Sequence, residues 1–406
     1  MPIQRAQETH IGRLALSHSS FPSLANTLPE DVGNSVLIGR IWVPGEGPYL
    51  VKVSATETTD LSGLALTSSD LMELDHVAKR VQGHHGKLWS TSSLWANTDP
   101  QSRNEQHPWF LAPTDLQAIK AAGVTFVASM LERVIEEQAR GDAAKAESVR
   151  KAVIEVMGDN LRNVKPGSAQ AMRLKEVLVA QGVWSQYLEV GIGPDAEIFT
   201  KSQAMSAVGS GFDVGLHPGS SWNNPEPEIV LVINSKGHVV GAAMGNDVNL
   251  RDFEGRSALL LGKAKDNNAS CAIGPFIRLF DDHYTIDNVR TTDLSMAVHG
   301  PEGFVMQGSS SLSQISRDPL DLAAQAIGPY HQYPDGLVLF LGTMFAPTQD
   351  RHGPGQGFTH VVGDTVAITT PQLGTLFNRV TTSDQAPAWT YGIRALMQDL
   401  AKRSSH

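Results

Sequence analysis

The sequence predicts an α+β fold: a strand-rich core of sandwich, roll or barrel type, a helical insertion covering it, and a small α/β unit ahead of both. Three observations carry this. Past Gly191-Ile-Gly193, apolar runs of strand length recur between Gly-rich turns at 197–201, 228–233, 239–244, 274–278, 292–298, 336–341 and 364–369, with one helix near 320–328, the pattern of a sandwich or barrel. Residues 113–183 carry helical periodicity instead, and successive helices before a strand-rich remainder argue for an insertion over a sheet rather than a doubly wound alternation. Residues 36–43 and 48–53 read as two strands about the turn Pro44-Gly-Glu-Gly47.

In chain order, the first 35 or so residues have little periodicity and form a loosely packed arm. A short helix is expected within 67–79, capped by Ser69 or Asp70, with Leu71, Leu74 and Val77 on one face. Helix is expected from Pro113 onward through Ala118, Ala121, Met130, Val134 and Ile135, then over 143–156 and 168–181. Residues 1–112 are therefore read as an arm plus a small α/β domain. Residues 113–406 are the main domain, with the helices of 113–183 as its lid or cover.

The 406 residues, 41% hydrophobic and 18% charged, suit a globular chain with a sizeable core. A net charge of −10 without any basic stripe excludes a general nucleic-acid binder. The single cysteine, Cys271, excludes an intrachain disulfide and a cysteine metal cluster. Neither a signal-peptide core nor about eighteen uninterrupted apolar residues can be found, so no membrane partner and a cytoplasmic location are expected.

The chemistry centres on Glu226-Pro-Glu228, which opens the apolar run Ile229-Val-Leu-Val-Ile233. Alternation in a strand puts Glu226, Glu228, Val230 and Val232 on one side. Ser235-Lys-Gly237 supplies a turn, and the returning strand brings Asp247 opposite Glu226. Three carboxylates so placed raise one another's pKa unless a cation sits among them, and oxygen ligands suit Mg²⁺ or Ca²⁺. The plain alternative is a solvated strand end with ordinary surface acids.

The segment Glu226-Pro-Glu-Ile-Val-Leu-Val-Ile, then Gly245-Asn-Asp-Val-Asn-Leu-Arg-Asp252, resembles the fumarylacetoacetate hydrolase superfamily. So do Gly262-Lys-Ala-Lys-Asp266 leading to Gly274-Pro275, Leu341-Gly-Thr343 and Gly363-Asp-Thr-Val366, in an order consistent over residues 105–380. The resemblance implies a mixed β-sandwich roll, assembly as homodimers or homotetramers, and Mg²⁺ (or Mn²⁺ or Ca²⁺) held by Glu226, Glu228 and Asp247. Hydrolases of the superfamily activate water with a His and a Glu on a mobile helix. Here Gly123-Val-Thr-Phe-Val-Ala-Ser-Met-Leu-Glu132 puts Ser129 at the His position, and serine is no base without an activating partner. That form most resembles the sugar-acid dehydratase branch, whose members convert 2-keto-3-deoxy-D-xylonate or D-arabinonate to 2-oxoglutarate semialdehyde.

The resemblance thus implies a small 2-keto acid substrate. Lys263 either removes the C3 proton or clamps the substrate carboxylate, and Glu132 either protonates the leaving hydroxyl or is an exposed helix acid. Ser129 falls among the substrate-binding positions. Lys201 binds substrate or braces the site; Arg251 pairs with a carboxylate or holds Asp252 or Glu254. Gly342 and Thr343 donate to the substrate carboxylate. Rival expectations are a hydrolase cleaving a C–C bond of a 2,4-diketo acid, which Ser129 disfavours, and a non-catalytic keto-acid sensor. His84, His85, His352 and His360 are read as surface or loop residues, and Gly353-Pro-Gly-Gln-Gly357 as a flexible loop.

Overall fold

The computed structural model describes residues 20–140, 142, 145, 164–180, 184–345 and 347–404. Within them the strands form sheets of eleven, five and two members. The large sheet runs in the order Leu88–Ser90, Glu57–Asp60, Gly47–Val53, Leu37–Val43, Cys271–Leu279, Val239–Asp247, Pro227–Ile233, Leu337–Phe340, Ala118–Gly123 and Glu197–Ser202, with Trp109–Leu111 also on Leu37–Val43. The five-stranded sheet orders Val305–Ser311, Asp293–His299, Thr365–Thr370, Gly374–Thr382 and Asp213–Leu216. This is the mixed α+β architecture that the strand-length runs predict.

Pro227–Ile233 lies inside the large sheet and is buried along its whole length, because its two faces feed two cores. Ile229, Leu231 and Ile233 pack in one cluster with Met296, Val298, Ile368 and Leu376 of the smaller sheet. Val230 and Val232 pack in another with Leu71, Val77 and Val81 of the helices Ser68–Met72 and Val77–Gly83. Each such side chain contributes roughly 1.5–3 kcal/mol on burial, so the strand that starts with the Glu pair is held by packing on both sides.

Three expectations are corrected. Ala118–Gly123 is a strand, not part of a helix: it pairs in parallel with Leu337–Phe340 and antiparallel with Glu197–Ser202, and the sheet overrides the helical preference of its alanines. Helix starts only at Val127 and runs to Ala139. The helix of 67–79 is two, separated by the left-handed His76 at φ 52°, and the capping side chain is that of Thr67, which accepts from the Asp70 N–H. The amino-terminal strands also extend the large sheet, since Leu37 and Ile38 pair with Arg278 and Ile277.

The helix expected over 168–181 is observed at Ala169–Ala180, whereas the one expected over 143–156 lies, residue 145 apart, outside the described residues. Met130, Val134 and Ile135 of Val127–Ala139 pack on Leu178, Tyr187, Leu188 and Ile192. That cover turns its polar edge towards the Glu pair. Among the described residues no helix is long and apolar enough to cross a membrane.

Candidate active site

The hairpin forms in the register that the sequence suggests. Gly237 makes its turn at φ 82°, Pro227 lies opposite Asn246, and the Asp247 N–H donates to the Glu226 carbonyl at 3.0 Å. The Asn246 side chain accepts from the Glu226 N–H at 3.1 Å. Glu226, Glu228 and Asp247 are each no more than 2% exposed, and each offers an oxygen within 4.8 Å of the others.

Glu228 is fixed by neutral donors. The Gly342 N–H reaches its Oε2 at 2.7 Å and the Thr343 hydroxyl its Oε1 at 3.3 Å. Gly342 has φ 99°, and a Cβ there would stand 2.0 Å from Thr125 Oγ1, so only glycine fits. Gly342 and Thr343, expected to donate to a substrate carboxylate, are engaged here with Glu228.

Cations surround the other two carboxylates. Lys265 Nζ lies 2.5 Å from Glu226 Oε2 and 3.0 Å from Asp247 Oδ2. Lys201, fully buried, pairs with Asp247 Oδ1 at 3.0 Å and donates to the carbonyls of Lys265 and Val248 and to the Ser270 hydroxyl. It is the residue skipped where the register of Glu197–Ser202 shifts, Ile119 pairing with Ser202 and Lys120 with Thr200. Such a bulge re-aims a side chain, and of the two roles expected for Lys201 this geometry matches the brace.

From the covering helix, Arg133 bonds to Glu226 Oε1 and also meets Glu136 at 2.7 Å and Glu254 at 2.9 Å. Arg251 Nε meets Glu136 at 3.1 Å, with its guanidinium over the Trp222 ring. The partner of Arg251 is thus Glu136, not Asp252 or Glu254; Asp252 instead accepts from Ser220 and Ser221.

These neighbours set the protonation states. Burial pushes Glu226 up, but Lys265 and Arg133 outweigh it and hold the carboxyl at about 2. Glu228 goes well above the usual range through burial and the charges of Asp247 and Glu226. Burial opposes the Lys265 charge, yet Asp247 and Glu226 keep it firmly ammonium. Glu197 is raised to about 7, by burial and by Glu254, against Arg133 and Lys265. The Glu197 side chain lies over Gly123, where a Cβ would stand 1.9 Å from its Oε2.

A divalent cation fits this donor set. Among the described residues the ion pairs engage Glu226, Asp247, Glu136 and Glu254, whereas Glu228 takes the amide and hydroxyl bonds. A buried carboxylate beside two others calls for a further positive charge.

The structure does not bring Lys263 into the cluster. It is exposed, its ammonium 5.3 Å from the centre of the Phe253 ring. Two residues apart on the helix Leu261–Lys265, Lys263 and Lys265 cannot share a face, and the buried position goes to Lys265. Glu132 is partly buried one residue before Arg133. The backbone of Ser129 is in the first turn of the same helix, and its side chain is outside the described part of the structure. His360 is not a surface residue: it is buried, with Nδ1 2.7 Å from Asp364 Oδ2.

Sequence reasoning missed Lys265, Arg133, Glu136 and Glu197. Signals existed for some of them: Arg133 and Glu136 are spaced i, i+3 on a helix, and Lys265 is the alternative lysine of its own motif.

Comparison with known proteins points the same way. Residues 184–381 match the fumarylacetoacetate (FAA) hydrolase C-terminal family. The chain is 30% identical over 196 residues to a probable 2-keto-3-deoxyxylonate dehydratase of Haloferax volcanii, covering 48% of this chain and 64% of that one. It is 29% identical over 184 residues to 2-dehydro-3-deoxy-D-arabinonate dehydratase of Saccharolobus solfataricus, covering 45% and 58%. The match therefore spans less than two thirds of either relative. Among solved structures, 2-keto-3-deoxy-D-arabinonate dehydratase complexed with magnesium and 2,5-dioxopentanoate superimposes with a TM-score of 0.59 at 20% identity, over 85% of this chain and 99% of that one. Its apo form gives 0.58. These two establish likeness of fold. The Glu-x-Glu hairpin and the Asp247 that answers it thus lie in the segment, residues 184–381, that matches the fumarylacetoacetate hydrolase C-terminal family.

Proposed function

We propose that this site dehydrates a 2-keto-3-deoxy-D-pentonate of the xylonate or arabinonate type to 2-oxoglutarate semialdehyde, as a homodimer or homotetramer in the cytoplasm. The observation that supports it most is the joining of three buried carboxylates to a partly buried acid of pKa about 7, Glu197, and a lysine held as ammonium. Glu226, Glu228 and Asp247 would hold Mg²⁺, with Mn²⁺ or Ca²⁺ as alternatives, and that ion would supply Lewis acidity towards the oxygens of a 2-keto acid.

The chain's own residues account for the proton movements. Glu197 is the proposed acceptor of the C3 proton, because a base of pKa near 7 is ionised in useful amount and still basic enough to act. Lys265 replaces Lys263 in the site, and as an ammonium it orients and neutralises the anionic substrate rather than removing a proton. Glu132 remains the proposed donor to the C4 hydroxyl as it leaves, with Ser129 beside it on the helix. Arg133 joins that helix to Glu226 and so holds it against the carboxylates. Loss of the C3 proton and the C4 hydroxyl removes one water and leaves a C3–C4 double bond conjugated with the C2 ketone; removal of a C5 proton and return of a proton to C3 then gives the C5 enol, whose protonation at C4 with loss of the hydroxyl proton gives the aldehyde.

The test is product analysis. Purified protein with Mg²⁺ and 2-keto-3-deoxy-D-pentonate should yield an aldehyde trapped as its hydrazone. Pyruvate released from a 2,4-diketo acid, with no aldehyde from the pentonate, would contradict the reading.

A further inference from the structure

The contacts of Lys265 differ from those of the other cations in the cluster. Lys201 is tied to two backbone carbonyls and a serine hydroxyl as well as to Asp247. Arg133 and Arg251 are shared with Glu136 and Glu254. The hydrogen bonds of the Lys265 ammonium, among the described residues, go to Glu226 Oε2 at 2.5 Å and Asp247 Oδ2 at 3.0 Å. Both partners belong to the set of carboxylates whose oxygens lie within 4.8 Å of one another. Its ammonium lies 5.8 Å from the centre of the Phe199 ring, a weak hold by comparison.

An ammonium and a hard dication are drawn to the same oxygens for the same reason, and they repel each other at close range. A Mg²⁺–oxygen contact of about 2.0–2.1 Å demands the lone pairs that the ammonium now uses. We propose that Lys265 is a resident counter-ion that a divalent cation displaces from Glu226 and Asp247, and that the displaced ammonium then binds the anionic substrate. The inference rests on the metal-binding reading above. It makes metal and substrate cooperative: the metal frees the charge that the substrate takes up, and the substrate gives that charge a new partner, so each favours the binding of the other.

Calorimetric titration of chelator-treated full-length protein with Mn²⁺, and of the Mn²⁺-loaded protein with pyruvate as a minimal 2-keto acid, tests this in wild type and Lys265→Met. The variant should bind Mn²⁺ at least about tenfold more tightly, having lost the competitor, and pyruvate at least about tenfold more weakly. Removing Lys265 strips a buried acidic cluster of its counter-charge, so Mn²⁺ should also raise the Tm of the variant by more than that of wild type; a variant that unfolds on chelation and refolds with Mn²⁺ shows that larger gain directly and supports the exchange. Equal or weaker Mn²⁺ binding by a variant that is folded without metal overturns it, as does failure to fold with and without Mn²⁺. If wild type itself binds no Mn²⁺ or Mg²⁺, the metal-binding reading falls with it.

Discussion

Two buried clusters of charge in this molecule look alike in composition and differ in balance. In the loops beside the five-stranded sheet, Arg351 Nη2 meets Asp364 at 2.7 Å and Glu302 at 2.8 Å, and Asp364 also meets His360 at 2.7 Å. The buried acid there has a cation to itself inside the protein, Arg351, which Glu302 shares only from the exposed side: Asp364 is held below the usual carboxylate range, since its bonds to Arg351 and His360 outweigh its burial. In the hairpin cluster Glu226 reaches the same condition through Lys265 and Arg133, but Glu228 does not, and its carboxyl is driven up instead. A balanced cluster is complete as a structural tie. An unbalanced one, kept buried at a cost of several kcal/mol, is where an added cation and an anionic substrate would find their free energy of binding.

The largest expected break in this contrast comes from Asp247→Asn. It removes the charge from one of the three proposed oxygen ligands, which is also a partner of both Lys201 and Lys265, so turnover should fall about a thousandfold or more, several kcal/mol of transition-state stabilisation. Steady-state kinetics at saturating Mg²⁺ measures it.

Next is Glu197→Gln, with a loss of about 10²–10⁴-fold in kcat. A base must be ionised to act, so wild-type kcat/KM should rise with pH through about 7, and the variant's residual rate should lack that rise. A rate that instead falls through the same range would assign Glu197 as an acid.

Asp364→Asn should act on stability alone, costing about 1.5–3 kcal/mol by removing the charged bonds to Arg351 and leaving that guanidinium to the exposed Glu302, while Mg²⁺ affinity stays at the wild-type value. The pH sign follows from the depressed pKa: the stabilisation by Asp364 is fully present above the unfolded carboxylate value and is lost as pH falls through the folded one. The gap between variant and wild type in urea unfolding should therefore narrow in acid.

The smallest effect belongs to Lys263→Gln, an exposed substitution outside the cluster, with stability changed by no more than about 0.5 kcal/mol and kcat/KM kept. A large loss there would return the role of Lys265 to Lys263.

The contrast also shows what the sequence could disclose. Glu226, Glu228 and Asp247 were legible because strand alternation and a Gly237 turn are local rules, and the hairpin obeys both. Lys201 was legible as a residue type, but the bulge that aims it inward depends on pairing with Ile119 and Lys120, some eighty residues away, which no local rule contains. The choice between Lys263 and Lys265 turned on the orientation of a five-residue helix, set by its packing and not by its spacing. Ala118–Gly123 was misread because its alanines favour helix in isolation, while the strands on either side of it come from distant parts of the chain. His360 does lie in a loop, but its burial was not legible because it depends on Asp364 and Phe358, contacts that the folded loop creates.

The most direct measurement is metal-dependent aldehyde formation by wild type and Glu228→Gln, side by side, from 2-keto-3-deoxy-D-pentonate. Wild type should form aldehyde in proportion to the keto acid consumed, only with added Mg²⁺ or Mn²⁺, and Glu228→Gln, folded by circular dichroism, should form none. Full activity of Glu228→Gln in the presence of a chelator would contradict the account.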